Sequence, residues 1–113
     1  MSAKLPLLSP SRVGAFEVLK RVATQNSYAS NLLAAPRFDK LSSEDRALLQ
    51  ELVLGVLRWQ GKLDFLIERH ARREVDKIDL ELVIAMRLGL YQLLFLDRIP
   101  AFAAVNESVN LAR

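Results

Sequence analysis

The stretch Leu80 to Leu96, LELVIAMRLGLYQLLFL, constrains this chain more than any other. Only Glu81, Arg87 and Gln92 among its seventeen residues are not apolar, aromatic or Gly. In water, a helix that is apolar on nearly every side must be covered on nearly every side, which makes this stretch the centre of a helical bundle. A membrane span is excluded, because it needs about 20 uninterrupted apolar residues and Arg87 near a bilayer centre would cost about 3 kcal/mol or more. A strand of this length would be far too long, and Ala, Leu, Met, Arg and Gln prefer helix. Glu81, Ala85, Leu88/Gly89 and Gln92 share one helical stripe, where the helix touches solvent or admits a close neighbour. Arg87 lies off that stripe. A largely buried guanidinium requires a carboxylate, and Glu107 of the following helix is the expected partner in a structural ion pair.

With 113 residues the chain has enough length for one core and not two. About half of them are apolar and only four are Gly and four Pro, a composition that folds rather than stays disordered. The absence of cysteine excludes disulfides, thiolate metal sites and thiol nucleophiles, and it fits a reducing compartment. The opening MSAKLPLLSPSR has no apolar run or cleavage signature of a secretory signal, so a cytoplasmic protein is expected. Net charge is +3, unevenly placed. Lys4, Arg12, Lys20, Arg21 and Arg37 face Glu17 alone in residues 1–38, whereas the remainder is close to balanced. A positive N-terminal third permits a nucleic-acid partner and equally describes a solvated helix face.

Taken in order, residues 1–8 are an unpatterned lead and residues 9–113 the domain. Ser9 or Ser11 caps a first helix to about Thr24, with Val13, Phe16, Leu19 and Ala23 inward and Arg12, Glu17, Lys20 and Arg21 mainly outward. A short helix spans about Tyr28 to Ala34 and is ended by Pro36. Ser42 caps a third helix whose apolar face includes Leu48, Leu49, Leu52, Val53, Val56 and Leu57. Gly55 within it marks a close helix contact. Trp59 reads as a partly buried anchor at a helix junction, with base stacking as the rarer role. Gly61 bends or breaks the helix before it continues to about Arg72. Arg69, His70, Arg72 and Arg73 complement the negative end of that helix, and His70 has no second metal ligand at useful spacing. Asp64 and Glu68 read as exposed acidic neighbours near Arg72. Asp79 caps the central helix, and Pro100 opens a last one with Phe102, Val105, Val109 and Ala112 on one face.

The segment MRLGLYQLLFLDRIPAFAAVNESVNLAR resembles the signature of the NusB-type all-helical RNA-binding fold. DRALLQELVLGVLRWQGKLDFLI narrows the resemblance to the N-terminal domain of the Fmu/Sun-type ribosomal RNA methyltransferases, which make 5-methylcytosine in small-subunit rRNA. The opening helix also fits that version better than the transcription antitermination factor, since only Arg12 answers to the factor's denser arginine motif. The resemblance implies an all-α bundle of five to six helices, further helical sequence after NESVNLAR, and a separate C-terminal domain binding S-adenosylmethionine. The expectation is therefore a domain truncated at its C-terminal end, whose bared apolar surface would support a homodimer or a swapped terminal helix.

The related enzymes use cysteine thiolates to activate the cytosine ring, and this chain has neither a cysteine nor a Gly-rich loop after a strand. The chain alone is expected to be inert, with no cofactor of its own and S-adenosylmethionine belonging to the parent enzyme. Two function classes remain. One is an accessory module that holds rRNA for the attached methyltransferase domain, with Arg12, Lys20 and Arg21 as main phosphate contacts and Lys4 and Arg37 as lesser ones. The other is a protein docking domain that packs on the catalytic domain or another protein, its basic residues incidental. A free antitermination factor is a third and weaker reading.

Overall fold

The structure is a computed structural model and describes residues 9–96. Five α-helices and two 3-10 turns follow in order: α1 (Pro10–Gln25), α2 (Ala29–Leu33), a turn at Pro36–Phe38, α3 (Ser43–Arg58), α4 (Gln60–Ala71), a turn at Val75–Lys77 and α5 (Leu80–Phe95). No strand occurs among the described residues, in keeping with the all-α class. The expected last helix, with Glu107, lies outside them.

Local chemistry sets the element ends. The Ser9 hydroxyl accepts from the Arg12 backbone N at 3.3 Å with Pro10 in the opening turn, and Asn26 ends α1 in the left-handed region at φ 53°. The Ser42 hydroxyl accepts from the Asp45 backbone N at 3.1 Å, and Glu44 and Asp45 complement the positive end of α3. Asp79 caps α5 by accepting from the Leu82 backbone N at 3.3 Å.

The break between α3 and α4 falls at Trp59, not at Gly61 as the sequence suggested. Gly61 lies in the first turn of α4, and a Cβ there would meet nothing within 4 Å. Trp59 takes the break because its ring is stacked 5.1 Å from Phe95 of α5, and Phe95 in turn stacks 5.0 Å from Tyr91. This is the junction anchor expected of it.

α5 is packed by α1, α3 and α4 alike, while α3 also lies extensively against α1. The core joins Ile84, Ala85, Leu88 and Tyr91 of α5 to Leu49, Leu52, Val53 and Val56 of α3, and to Ala15, Phe16, Val18 and Leu19 of α1. Gly55 allows the α3 to α5 contact, since a Cβ there would lie 2.2 Å from the Tyr91 ring. Position 55 tolerates no side chain unless Tyr91 moves.

One open alternative is decided and two expectations are corrected. The stripe through Glu81, Ala85, Leu88 and Gln92 is not a solvent face: Ala85 and Gln92 are each 1 % exposed, and both polar ends of the stripe pair with α1. The close-neighbour alternative holds, and the neighbour is α1. Ala23 is exposed and Arg12 is buried, the reverse of their expected places. Asp64 is no exposed neighbour of Arg72 but the partner of Arg87: Nε and Nη2 of Arg87 donate to its two carboxylate oxygens at 2.7 and 2.9 Å, with the side chains 12 % and 18 % exposed. This two-pronged pair ties α5 to α4 and supplies the carboxylate that a sheltered guanidinium requires.

The cover on α5 is incomplete among the described residues. Leu82, Leu93, Leu94 and Phe95 remain at least 36 % exposed. A groove of about 390 Å³ runs between α4 and α5, lined by residues that include Leu66, Leu82, Met86, Leu90 and Leu93.

Candidate nucleic-acid interface

The basic residues of α1 and the segment after α2 were the expected phosphate contacts, and the structure sorts them by what each already holds. Arg12 faces inward, 9 % exposed. Its Nε donates to Gln92 Oε1 at 2.6 Å and its Nη1 to the Ser9 hydroxyl at 3.0 Å, while Gln92 Nε2 donates to the Leu88 carbonyl at 2.9 Å. The guanidinium thus joins the start of α1 to the end of α5. Helical spacing explains this: position 12 shares a face with Phe16 and Leu19, both buried.

Lys20 is paired with Glu81 of α5, both half-exposed. Nε of Arg21 donates to Gln25 Oε1 at 3.3 Å on the exposed side of α1. Arg37 donates from Nη1 to Glu17 Oε1 at 2.7 Å and lies with its guanidinium carbon 4.5 Å from the centre of the Phe38 ring. Surface pairs of this kind are worth about 0 to 1 kcal/mol and exchange readily for phosphate. Lys20, Arg21 and Arg37 are therefore available to an anionic ligand, whereas Arg12 is committed to the fold. Lys4 lies outside the described residues.

A second set of cations includes Arg69, Arg72 and Arg73, which the sequence reading assigned to the negative end of the helix because acids follow them at once. Arg58, Lys62, Arg69, Arg72 and Arg73 are all exposed. The two acids among them are engaged: Asp64 holds Arg87, and Glu68 Oε2 accepts from the Val75 backbone N at 3.0 Å. At 100° per residue Asp64 lies about 100° to 160° around the axis from Lys62, Phe65 and Arg69, while Glu68 sits at the edge of the stripe, about 60° from Phe65 and one turn before Arg72.

Nothing in this arrangement resembles a reaction centre. Among the described residues no group of three or more His, Cys, Asp or Glu is placed to hold a metal, and no helix is long and apolar enough to cross a membrane. Burial raises the pKa of the Tyr91 hydroxyl above its ordinary value, with Glu51 nearby adding to the shift and Arg58 opposing it. That places a neutral phenol in the core rather than a poised acid or base.

Residues 9–113 match the family model described as the NusB family. The chain is 42 % identical over 100 residues to a probable ribosomal RNA small subunit methyltransferase B of Synechocystis, covering 88 % of this chain and 22 % of that protein. It is 36 % identical over 101 residues to ribosomal RNA small subunit methyltransferase B of Pseudomonas putida, covering 89 % and 23 % respectively. A putative methyltransferase of Mycobacterium tuberculosis is 39 % identical over 106 residues, covering 93 % and 23 %. The chain thus spans less than a quarter of the length of these relatives. No solved structure matches it.

Proposed function

The chain belongs to the NusB family, and from that membership we propose that it is the RNA-binding accessory domain of an S-adenosylmethionine-dependent rRNA cytosine-5 methyltransferase. In this reading it helps hold small-subunit rRNA for a catalytic domain elsewhere in the parent chain, in the cytoplasm. One observation carries the proposal: relatives named as small-subunit rRNA methyltransferases align with nearly all of this chain and extend far beyond it. Those names favour the methyltransferase context over a free antitermination factor. With no cysteine in the sequence, the chain's own contribution is binding and orientation rather than bond making. S-adenosylmethionine belongs to the parent enzyme.

The test is fluorescence anisotropy of a labelled small-subunit rRNA hairpin titrated with this chain across a salt series. Saturable binding is expected, with log affinity falling linearly in log salt by about 0.7 to 0.9 for each phosphate contact. No binding at about 50 mM salt would overturn the reading.

The open groove between α4 and α5 favours a second reading, docking on the catalytic domain of the parent chain. A stable one-to-one complex with that domain, expressed separately and lost on Leu93→Asp, would support it. Self-association of this chain with the same sensitivity would assign the groove to a homodimer instead.

A further inference from the structure

We propose that the RNA-contact surface of this domain is the outer stripe of α4, from Lys62 in its first turn to Arg72 and Arg73 after its last. It takes a single-stranded segment, with the backbone along the cations and one base stacked on Phe65. The inference rests on the RNA-binding reading and names the surface that performs it.

The first support is the sorting of charge. Along α4 both acids are engaged, Asp64 by Arg87 and the half-buried Glu68 by the Val75 backbone N, while Lys62, Arg69, Arg72 and Arg73 are exposed, Arg73 also donating to the Lys77 carbonyl at 3.1 Å. The next exposed acids, Glu74, Asp76 and Asp79, come only after the chain has turned at Arg72. At 100° per residue, Lys62, Phe65, Arg69 and Arg72 fall within about 80° of arc, and they span about 15 Å along the axis. Of the cations expected on α1 and just after α2, Arg12 is buried, and Lys20 and Arg37 must first exchange their surface pairs with Glu81 and Glu17 to take a phosphate, whereas Arg21 has no carboxylate to give up among the described residues.

The second support is aromatic. Phe65 is 56 % exposed among the described residues in the middle of the stripe, and the Arg69 guanidinium lies 5.8 Å from its centre. An exposed ring flanked by cations is the arrangement that stacks an unpaired base while its phosphates are neutralised. Duplex RNA offers no free base face, so the ring specifies a single strand. The third support is Arg72, which stands at φ 58° and ψ 37°, a left-handed helix end where glycine is the unstrained choice. Its charge extends the stripe past the last turn.

The test compares anisotropy titrations of a single-stranded small-subunit rRNA oligonucleotide, and of its duplex, with four forms of the chain. These are the wild type, Lys62→Ala/Arg69→Ala/Arg72→Gly, Phe65→Ala, and the α1 control Lys20→Ala/Arg21→Ala, each checked by its melting curve. Should the triple variant misfold, Lys62→Gln/Arg69→Gln leaves the helix end intact and replaces it. The expected result is a salt slope flattened by about two units in the α4 triple variant. Phe65→Ala should bind the single strand about five- to tenfold more weakly and the duplex unchanged. Binding by the wild type that survives the α4 changes and is lost in the α1 control would overturn the inference and leave the RNA reading standing. A silent Phe65→Ala would overturn the single-stranded assignment, and a wild type that binds no RNA would overturn both.

Discussion

Two glycines of the same chain have opposite reasons for being glycine. At position 55 a Cβ would lie 2.2 Å from the Tyr91 ring, which is itself 6 % exposed and stacked on Phe95. Gly55→Ala gains up to about 1 kcal/mol of helix propensity but forces the ring out of a packed site, a strain of about 1 to 3 kcal/mol. The variant is expected to be less stable by roughly 1 to 2 kcal/mol in urea unfolding, with most of the loss recovered in a Tyr91→Leu background. At position 61 nothing lies within 4 Å of a Cβ and the backbone is helical, so Gly61→Ala should be more stable by about 0.5 to 1 kcal/mol. Tyr91 also carries a pH signature. Its pKa is raised by burial first and Glu51 second, so the folded state keeps the phenolic proton after the unfolded state has lost it. That contribution is complete below about pH 10 and is lost as pH rises above it. Unfolding between pH 8 and 11 should show a fall in stability that is shallower in Tyr91→Phe.

Between elements, the decisive polar contact is the pair joining α4 to α5. Asp64→Ala leaves the Arg87 guanidinium, 12 % exposed, without its carboxylate and should cost about 2 to 4 kcal/mol. Arg87→Met removes the costly charge and leaves a carboxylate nearer to water, so it should cost less. Asp64→Leu/Arg87→Met should come close to the wild type, and a double-mutant cycle in urea gives the coupling directly. Such pairs mark the limit of what the sequence discloses. The caps at Ser42 and Asp79 were legible because their chemistry lies within three residues. The central place of α5 was legible because a helix apolar on almost every side has no other stable location. The need of Arg87 for a carboxylate was legible too, but not its identity, because the contact spans 23 residues and no local pattern distinguishes Asp64 from Glu68. Arg12 was misplaced because residue type was weighed above period: spacing put it beside Phe16 and Leu19, and charge argued for solvent. The cations at the end of α4 were legible as a cluster and were assigned to the helix dipole, whereas the engagement of Asp64 by Arg87 was not legible, because that contact is not local.

Across the whole molecule, folding and binding draw on electrostatics to different degrees, and salt separates them. The core is one apolar cluster around α5, and its sheltered ion pair is poorly screened. The surface pairs Lys20 with Glu81, Arg37 with Glu17 and Arg46 with Asp39 are roughly half-exposed, and together they add little to stability. Between 50 and 200 mM salt the melting temperature should therefore move by less than about 5 °C, the equivalent of about 1 kcal/mol in a domain of this size. Four phosphate contacts on the α4 stripe would instead weaken RNA binding by about 50-fold over the same interval. Parallel melts and titrations of one preparation test this directly. A melting temperature that fell in step with affinity would mean that the exposed cations hold the fold together, and the α4 charges would then have to be assigned to stability. A steady melting temperature with a steep affinity loss leaves those charges without a folding role, as expected of side chains that face solvent while the acids beside them are held by Arg87 and by the Val75 backbone N.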